Sequence, residues 1–292
     1  MLMQSQWLNE LRAVKRDLAY ASHDVWRLAT KRNQLSQTVN QTEIRFIGLR
    51  RSGNHAVLNW IFKQLQQPVY FINNVDAGMS PFRCFHLHFP DKGYRNEAWG
   101  NFSKKKHLIY SYEDYGLQDI SNPYSEYKHD LWLGKTHHRY DILLLRDPFN
   151  LLASRLKKNY MDVKTSGESV VSLWISYAKE VLGETNLLKH NKIIINYNEW
   201  FRSLEYRQKI ARQLGLDFSD QGFNYVSSYG GGSSFDERSF QGKAESMNVE
   251  NRWHHFKDND EFLSLIANEE LLHYSKAIFG DVLETAKLGI SG

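Results

Sequence analysis

The first forty residues carry apolar side chains at intervals of seven. One series comprises Trp7, Val14, Ala21, Leu28 and Leu35. A second series, Leu11, Leu18 and Val25, fills the intervening positions, and Arg32 interrupts it. This spacing predicts a long amphipathic helix over residues 1–40. The stripe either packs on the rest of the chain or pairs two copies in a coiled coil, and the pattern leaves both open.

From residue 43 onward, short apolar runs alternate with stretches of helical periodicity. The runs that predict buried strands are Ile44–Leu49, Val69–Ile72, His107–Tyr112, Asp141–Leu145 and Lys192–Tyr197. The stretches that predict helices are Ala56–Leu65, Pro148–Lys158, Ser169–Leu182, Phe201–Leu214 and Asp260–Phe279. Such alternation is typical of an α/β fold, an open parallel sheet flanked by helices on both faces. We therefore expect an N-terminal helical element, residues 1–42, followed by one α/β domain, residues 43–292.

Composition and charge narrow the classes of function. The 292 residues include 37 Lys and Arg against 33 Asp and Glu, so the formal charge is only +4, which argues against a nucleic-acid-binding protein. The single cysteine, Cys84, excludes an internal disulfide and argues against a cysteine-based metal site. No apolar run approaches the ~20 residues of a membrane span, and the N-terminus lacks the apolar core of a signal peptide. These features favour a cytoplasmic location.

The turn after the first predicted strand has the features of a phosphate-binding loop. Gly48 and Gly53 are spaced as in the nucleotidase motif G-x-x-x-x-G-K-[ST], but Asn54 and His55 occupy the positions of its Lys and Ser/Thr. This replacement argues against Mg²⁺-dependent triphosphate chemistry. Backbone N–H groups at a helix N-terminus, with nearby cations, are suited to bind an anion. The candidate binding residues are Arg50, Arg51, Ser52, Gly53, Asn54, His55 and Ala56.

A second anion site is predicted at the end of the strand Asp141–Leu145. Arg146 ends that strand, Asp147 and Pro148 begin a helix, and Ser154 follows Arg146 by eight residues. Ligands of open parallel sheets collect beyond the carboxyl ends of the strands, so Arg146 and Ser154 are candidates for binding a second anionic group.

Two sets of side chains are candidates for acid–base chemistry. Lys135 and His137 precede the strand that ends at Arg146, and they offer a cation and a base that titrates near neutral pH. Glu113, at the end of the strand His107–Tyr112, is an alternative base, and His86, His88 and His138 are further alternatives.

Together these motifs resemble the family of sulfotransferases that use 3′-phosphoadenosine 5′-phosphosulfate (PAPS). The segment from Arg51 to His55 resembles the family's 5′-phosphosulfate loop, Lys-Ser-Gly-Thr-Thr-Trp, and Arg146 with Ser154 resembles its 3′-phosphate element. Lys135-Thr136-His137 resembles the Lys-Thr-His sequence that carries the catalytic base in cytosolic members.

The resemblance continues beyond the middle of the chain. The segment that ends in Tyr197-Asn198-Glu199 is similar to a strand that ends in Tyr-Glu-Asp in the family. Gly242-Lys243 and Arg252-Trp253 resemble a basic loop that folds over the donor, although the family's Arg-Lys-Gly triplet is not intact.

The resemblance implies in-line transfer of a sulfuryl group from PAPS to an acceptor oxygen or nitrogen, with release of PAP and without a metal. It implies that Arg51 is the cation at the bridging oxygen, that Lys135 steadies the developing charge, and that His137 takes the acceptor's proton. Trp60, Tyr197 and Phe240 are candidate walls for the adenine. Gly242 and Lys243 belong to the loop expected to close over the donor.

The aromatic and acidic residues of region 73–130 favour a small acceptor, cationic or aromatic, such as a natural product. Two other functions remain open at this point. One is a kinase or nucleotide hydrolase on the same core fold, and the other is a nucleotide-binding module without catalysis.

Overall fold

The central feature of the computed structural model is a five-stranded sheet in which every pair of neighbours is parallel. The structure describes residues 2–89, 93–226 and 232–282, without the side chains of residues 2–10, 12 and 34. The strands are β1 (Thr38–Gly48), β2 (Val69–Ile72), β3 (Lys105–Glu113), β4 (Lys135–Leu145) and β5 (Ile193–Asn196), in the order β2-β3-β1-β4-β5. The predicted α/β class and its parallel sheet are confirmed.

Thirteen helices connect and cover these strands within the described residues. They are α1 (Leu2–Thr30), α2 (Arg32–Leu35), α3 (Asn54–Gln64), α4 (Pro81–His88), α5 (Arg95–Ala98), α6 (Leu117–Ile120), α7 (Pro123–Leu133), α8 (Pro148–Lys158), α9 (Val170–Leu182), α10 (Tyr197–Arg202), α11 (Leu204–Gln213), α12 (Asp260–Ile266) and α13 (Glu269–Phe279). Two 3₁₀ helices, Ala244–Ser246 and Arg252–Phe256, precede the last two of these.

The core lies in two layers, one on each face of the sheet, because successive strand residues point to opposite faces. In β1, Phe46 packs into the layer formed with α3, α10 and α11, whereas Ile47 packs into the layer formed with α4 to α9, α12 and α13. In β4, Leu144 packs into the same layer as Phe46, and Leu143 packs into the same layer as Ile47. Both faces are covered, which explains the continuous apolar runs in the sequence.

The strands β1 and β4 begin earlier than predicted. β1 starts at Thr38, so the boundary expected after residue 42 falls inside the strand, and β4 starts at Lys135. The two polar extensions pair with each other, with Thr38 opposite Lys135 and Asn40 opposite Thr136. Buried Asn40 donates from Nδ2 to the carbonyl of Leu133, 3.0 Å away. Pairing between segments that are distant in sequence therefore stabilises these strand extensions, which the sequence did not predict because they are polar.

Helix α1 contacts the body through a polar and aromatic face. The Asp24 carboxylate forms a bidentate ion pair with Arg83, and Arg27 donates to the carbonyl of Leu131 at 2.8 Å. The rings of Tyr20 and Trp99 lie 4.8 Å apart. The apolar stripe predicted from the heptad pattern is exposed and takes no part in these contacts. We call the row of Leu11, Val14, Leu18, Ala21, Val25 and Leu28 the α1 stripe; all six residues are exposed.

The strand order places a crevice between β1 and β4. From β1 the chain passes through α3 to β2 on one side of the sheet, whereas from β4 it passes through α8 and α9 to β5 on the other side. Ligands of open α/β sheets bind at such a switch point, outside the carboxyl ends of the strands. Among the described helices, none is both long and apolar enough to cross a membrane.

Candidate functional site

A pocket of about 290 Å³ opens at the carboxyl ends of β1, β3 and β4. One side is basic, and its arginines are Arg50, Arg51, Arg146 and Arg252. Aromatic residues also line the pocket, namely Tyr160, Tyr197, Trp200, Phe201, Phe223 and Tyr225. Glu113 is the acidic residue among those that line it. The pocket thus combines sites for anionic groups with a flat apolar surface.

The loop after β1 lines the pocket. Gly53 immediately precedes α3. Its φ of 93° lies in the left-handed region, which favours glycine. Asn54 is buried, and its Nδ2 donates to the carbonyl of Leu49 at 3.1 Å and to Oε1 of Glu113 at 2.7 Å. Gly53, Asn54, His55 and Ala56 all line the pocket, at the N-terminus of α3. The loop therefore presents a helix N-terminus to whatever occupies the cavity.

Arg50 and Asp114 anchor the base of this loop. The Nε atom of Arg50 lies 2.6 Å from Oδ2 of Asp114, and the backbone N–H of Arg50 donates to Oδ1 at 2.8 Å. Asp114 is fully buried and also pairs with Arg155, whose Nη1 donates to Oδ1 at 2.7 Å. Arg50 thus lines the pocket while it shares the buried Asp114 carboxylate with Arg155.

Arg51, Arg146 and Arg252 converge on the pocket with acceptors that are mostly uncharged. Arg51 donates from Nε to Ser234 Oγ at 2.7 Å and from Nη2 to the carbonyl of Gly232 at 2.9 Å. Arg146 is buried and donates to the carbonyls of Arg51 and Val249. Among the described residues, no carboxylate forms an ion pair with Arg146.

The electrostatics of this group favour an anionic ligand. Burial lowers the pKa of Arg51, and the nearby Arg146 guanidinium lowers it further, against opposing effects of Tyr160 and Glu113. Burial, followed by Arg146, lowers the pKa of Arg252 to about 10 in spite of its ion pair with Asp236 at 3.2 Å. Arginine stays protonated at neutral pH, so burying these neighbouring cations together costs free energy in the folded state. A bound anion would offset that cost.

Two predicted serines are buried beside these cations but do not line the pocket. Ser52 and Ser154 are both fully buried. Neither Oγ atom has a hydrogen-bond partner among the described residues. Buried hydroxyls are normally paired, so these two are exceptions among the described residues.

The aromatic wall includes one residue that the sequence analysis named. Tyr197 begins α10, directly after β5, and its ring stacks on Trp200 with centroids 5.7 Å apart. The guanidinium carbon of Arg146 lies 5.1 Å from the Tyr197 ring centroid. Tyr197 therefore joins the basic and aromatic sides. Phe223 and Tyr160 complete the wall and were missed, because isolated aromatics in loops carry no local signal of function.

Glu113 and His55 are the groups in the pocket that could accept a proton. Glu113 ends β3 next to Gly48 of β1, is largely buried, and is positioned by Asn54. His55 lines the pocket, and burial lowers its pKa, although Glu113 opposes this effect. A base near the arginines therefore comes from β3 or from α3.

The structure does not bring Lys135 and His137 to this pocket. Both are exposed in the first residues of β4, where Lys135 pairs with Thr38 at the start of β1. Arg146 follows the opposite end of the same strand. At ~3.3 Å per residue, His137 lies on the order of 30 Å from Arg146. The expectation that Lys135 and His137 act beside Arg51 therefore does not fit the fold.

Gly242 and Lys243 are exposed and do not line the pocket. The segment that follows them contributes instead, through Ala244, Met247 and Arg252. The part of the expected closing loop that lines the pocket thus lies after Gly242 and Lys243 in the sequence.

One group of potential metal ligands occurs among the described residues, outside the pocket. The ligand atoms of Asp76, Cys84 and His88 lie within 4.8 Å of one another. Asp76, however, accepts hydrogen bonds from Tyr115 at 3.0 Å and from the Lys164 ammonium at 3.2 Å. The ammonium already balances its charge, so we assign no metal to this group.

Comparisons with known proteins give a distant structural neighbour. No family model matches the chain, and no curated protein matches its sequence. Among solved structures, the chain is similar to mouse sulfotransferase SULT7A1 complexed with PAP, with 12% identity and a TM-score of 0.40. The match covers 80% of this chain and 92% of the mouse chain. Any function must therefore be argued from the pocket.

Proposed function

We propose that the protein is a sulfotransferase that transfers a sulfuryl group from PAPS to a hydroxyl or amine of a small-molecule acceptor. The observation that carries this proposal is the convergence of Arg51, Arg146 and Arg252 on one pocket that aromatic side chains also line. A nucleotide with phosphates at both the 3′ and 5′ positions has the matching chemistry, because it joins two separate anionic ends to a flat base. Guanidinium groups bind such oxyanions through paired N–H donors.

The two anionic ends are assigned by position in the fold. The loop from Arg51 to Ala56 would hold the 5′-phosphosulfate, with the N-terminus of α3 directed at it. Arg146, with Ser154, would hold the 3′-phosphate, and the ring of Tyr197 would border the base. Arg252 would contribute a further cation near Arg146.

In the reaction, the acceptor oxygen or nitrogen forms a bond to sulfur while the bond from sulfur to the bridging oxygen breaks. The leaving group is PAP, whose 5′-phosphate takes the bonding electron pair. Arg51 would stabilise the charge that develops on this phosphate, and the carboxylate of Glu113 would take the acceptor's proton. Lys135 and His137 have no part in this proposal, because the far end of β4 cannot reach the reacting atoms.

The decisive experiment measures nucleotide affinity by calorimetry. We expect PAP to bind and AMP, which lacks the 3′-phosphate, to bind about 10–100-fold more weakly, because it loses charge-assisted hydrogen bonds. Radiolabelled PAPS with mixed hydroxyl and amine acceptors should then yield a labelled product in the presence of a metal chelator.

The outcomes separate the alternatives. Binding of PAP without transfer to any acceptor would favour a nucleotide-binding module. Tighter binding of ATP with Mg²⁺ than of PAP would favour a kinase or hydrolase. The absence of any affinity for PAP would refute the proposal.

A further inference from the structure

We propose that the α1 stripe is a homodimerisation surface that pairs in parallel with the same stripe of a second copy of the chain. The stripe is exposed on the surface of α1, where Ala21 and Leu28 also border clefts between the helix and the body. Tyr20, Asp24 and Arg27 are buried against Trp99, Arg83 and the carbonyl of Leu131. Because these contacts fix the rotation of the helix, the chain's own body does not cover the stripe.

The stripe is apolar and strongly exposed. Its leucines and valines range from 39% exposed at Leu28 to 67% at Val25. Monomers rarely display a continuous apolar patch beyond about 300–600 Å², and five such side chains in one row reach that range. Two copies face to face would bury on the order of 1,000 Å², the lower limit for a specific interface.

The spacing of the stripe favours pairing with another helix that carries the same heptad repeat. Leu11, Leu18 and Val25 occupy one position of a heptad, and Val14, Ala21 and Leu28 occupy the other. This 3.5-residue repeat keeps a seam facing a neighbouring helix over its whole length. A flat membrane surface or an irregular protein surface would not require it.

Charges at the edges of the seam favour the parallel arrangement. Asp17 lies on one edge, with Glu10 one heptad before it in sequence, and Lys15 lies on the other edge. In a parallel pair in register, position 10 of one helix lies opposite position 15 of the other. The pairing therefore brings Glu and Lys positions together twice across the two-fold axis.

The test compares two charge insertions at neighbouring positions of the full-length chain. Light scattering should give the wild-type protein twice the chain mass of 34.3 kDa at about 0.1 mM, a concentration at which even a micromolar pair forms. Leu18→Glu should weaken the dimer by about 100-fold or more, because it places like charges against each other in the seam. Ala19→Glu adds the same charge to an exposed position off the seam and should leave the dimer intact.

A disulfide test addresses the orientation. In a parallel pair in register, position 14 of each helix faces its own copy, so Val14→Cys should form a linked dimer on mild oxidation, whereas Ala19→Cys should not. The native Cys84 is buried, which keeps the background low. Circular dichroism verifies that each variant is folded. A monomeric wild-type protein, or equal effects of the two glutamates, would overturn the proposal, and failure of Val14→Cys to cross-link in a dimer would overturn the parallel arrangement.

Discussion

Gly53 and Tyr197 approach each other so closely that a Cβ atom on Gly53 would lie 2.2 Å from Cε2 of the tyrosine ring. The contact joins the loop after β1 to the residue that follows β5. It holds the proposed phosphosulfate loop against the aromatic wall of the pocket. Glycine is required here both by this contact and by its positive φ.

Gly53→Ala should therefore destabilise the fold and weaken PAP binding by more than strain alone explains. Gly167→Ala is the matched control, because Gly167 has φ 79° but nothing within 4 Å of its Cβ position. We expect about 1–2 kcal/mol from the left-handed backbone in both variants and a further loss at Gly53. Urea unfolding measures both free energies. Equal losses in the two variants would show that the contact with Tyr197 contributes nothing.

Arg146→Ala should weaken PAP binding by about 10–100-fold, the value of charge-assisted hydrogen bonds to one phosphate. Its effect on AMP should be small, because AMP lacks the phosphate that Arg146 is proposed to hold. Arg238→Ala, at an exposed position outside the pocket, is the control. Calorimetry with the two nucleotides checks the assignment, which fails if AMP and PAP lose affinity equally.

Glu113→Gln should lower kcat by about 10²–10⁴-fold while KM for PAPS changes little, as expected for loss of a general base. The amide keeps the size of the side chain and an oxygen for the hydrogen bond from Asn54. His137→Ala should leave kcat within about twofold, because His137 lies at the far end of β4. Steady-state rates under saturating donor decide between them, and the reverse pattern would restore His137 as the base. If neither variant is impaired, His55→Ala is the next to measure.

Asp114→Asn should destabilise the protein by about 3–5 kcal/mol, because it leaves Arg155 buried without its counter-charge. Asp258→Asn, at an exposed site, should change the free energy of unfolding by less than about 0.5 kcal/mol. Thermal and urea denaturation test both. A similar small effect at both sites would mean that the Arg50–Asp114–Arg155 group does not support the loop.

The stability of the protein should depend on pH through a buried pair in the sheet. Burial alone would lower the pKa of His129, but the Glu43 carboxylate and the hydrogen bonds to Asp130 and Glu43 raise it to about 9. Burial would raise the pKa of Glu43, but His129, Arg139 and Thr136 lower it well below its usual value.

The sign follows from these two shifts. His129 contributes stability that is fully present below its ordinary pKa of 6.5 and is lost as the pH rises through about 9. Glu43 contributes stability that is present above its ordinary pKa of 4.5 and is lost in acid. The free energy of unfolding should therefore decline between pH 6.5 and 9, by up to about 3 kcal/mol. His129→Gln should flatten this decline, and a slope that persists in the variant would refute the assignment.

The sequence revealed those elements whose signals are local. Helix α8 was predicted to the residue, because Asp147 caps it through a hydrogen bond to the Asn150 N–H and Pro148 occupies its first position. β2 also matched, as an apolar run between turns. The loop after β1 and Arg146 were located correctly because glycine spacing and a charge at a strand end can be read from neighbouring residues.

Features that depend on distant partners escaped prediction. The start of β4 looked like a polar loop, but Thr136 donates to Glu43 of β1 at 2.6 Å, and this contact belongs to the strand. Read as a loop, this segment left Lys135 and His137 free to reach the carboxyl end of the sheet, whereas β4 holds them at its amino end. The predicted helices Phe201–Leu214 and Asp260–Phe279 are each divided in two. Ser203 caps the start of α11 by accepting a hydrogen bond from the Tyr206 N–H, and Asn268 caps the start of α13 by accepting one from the Leu271 N–H.

The two proposed anion sites follow neighbouring strands, and Gly48 of β1 pairs with Leu144 of β4. The separation between them is consequently fixed by backbone hydrogen bonds and by the interstrand spacing of ~4.8 Å. Exchanging side chains in either turn would alter which chemical group is held and how firmly, while the spacing of the two backbone turns would stay the same. The sheet thus sets the separation of the two turns, and with it the length of molecule that can bridge them.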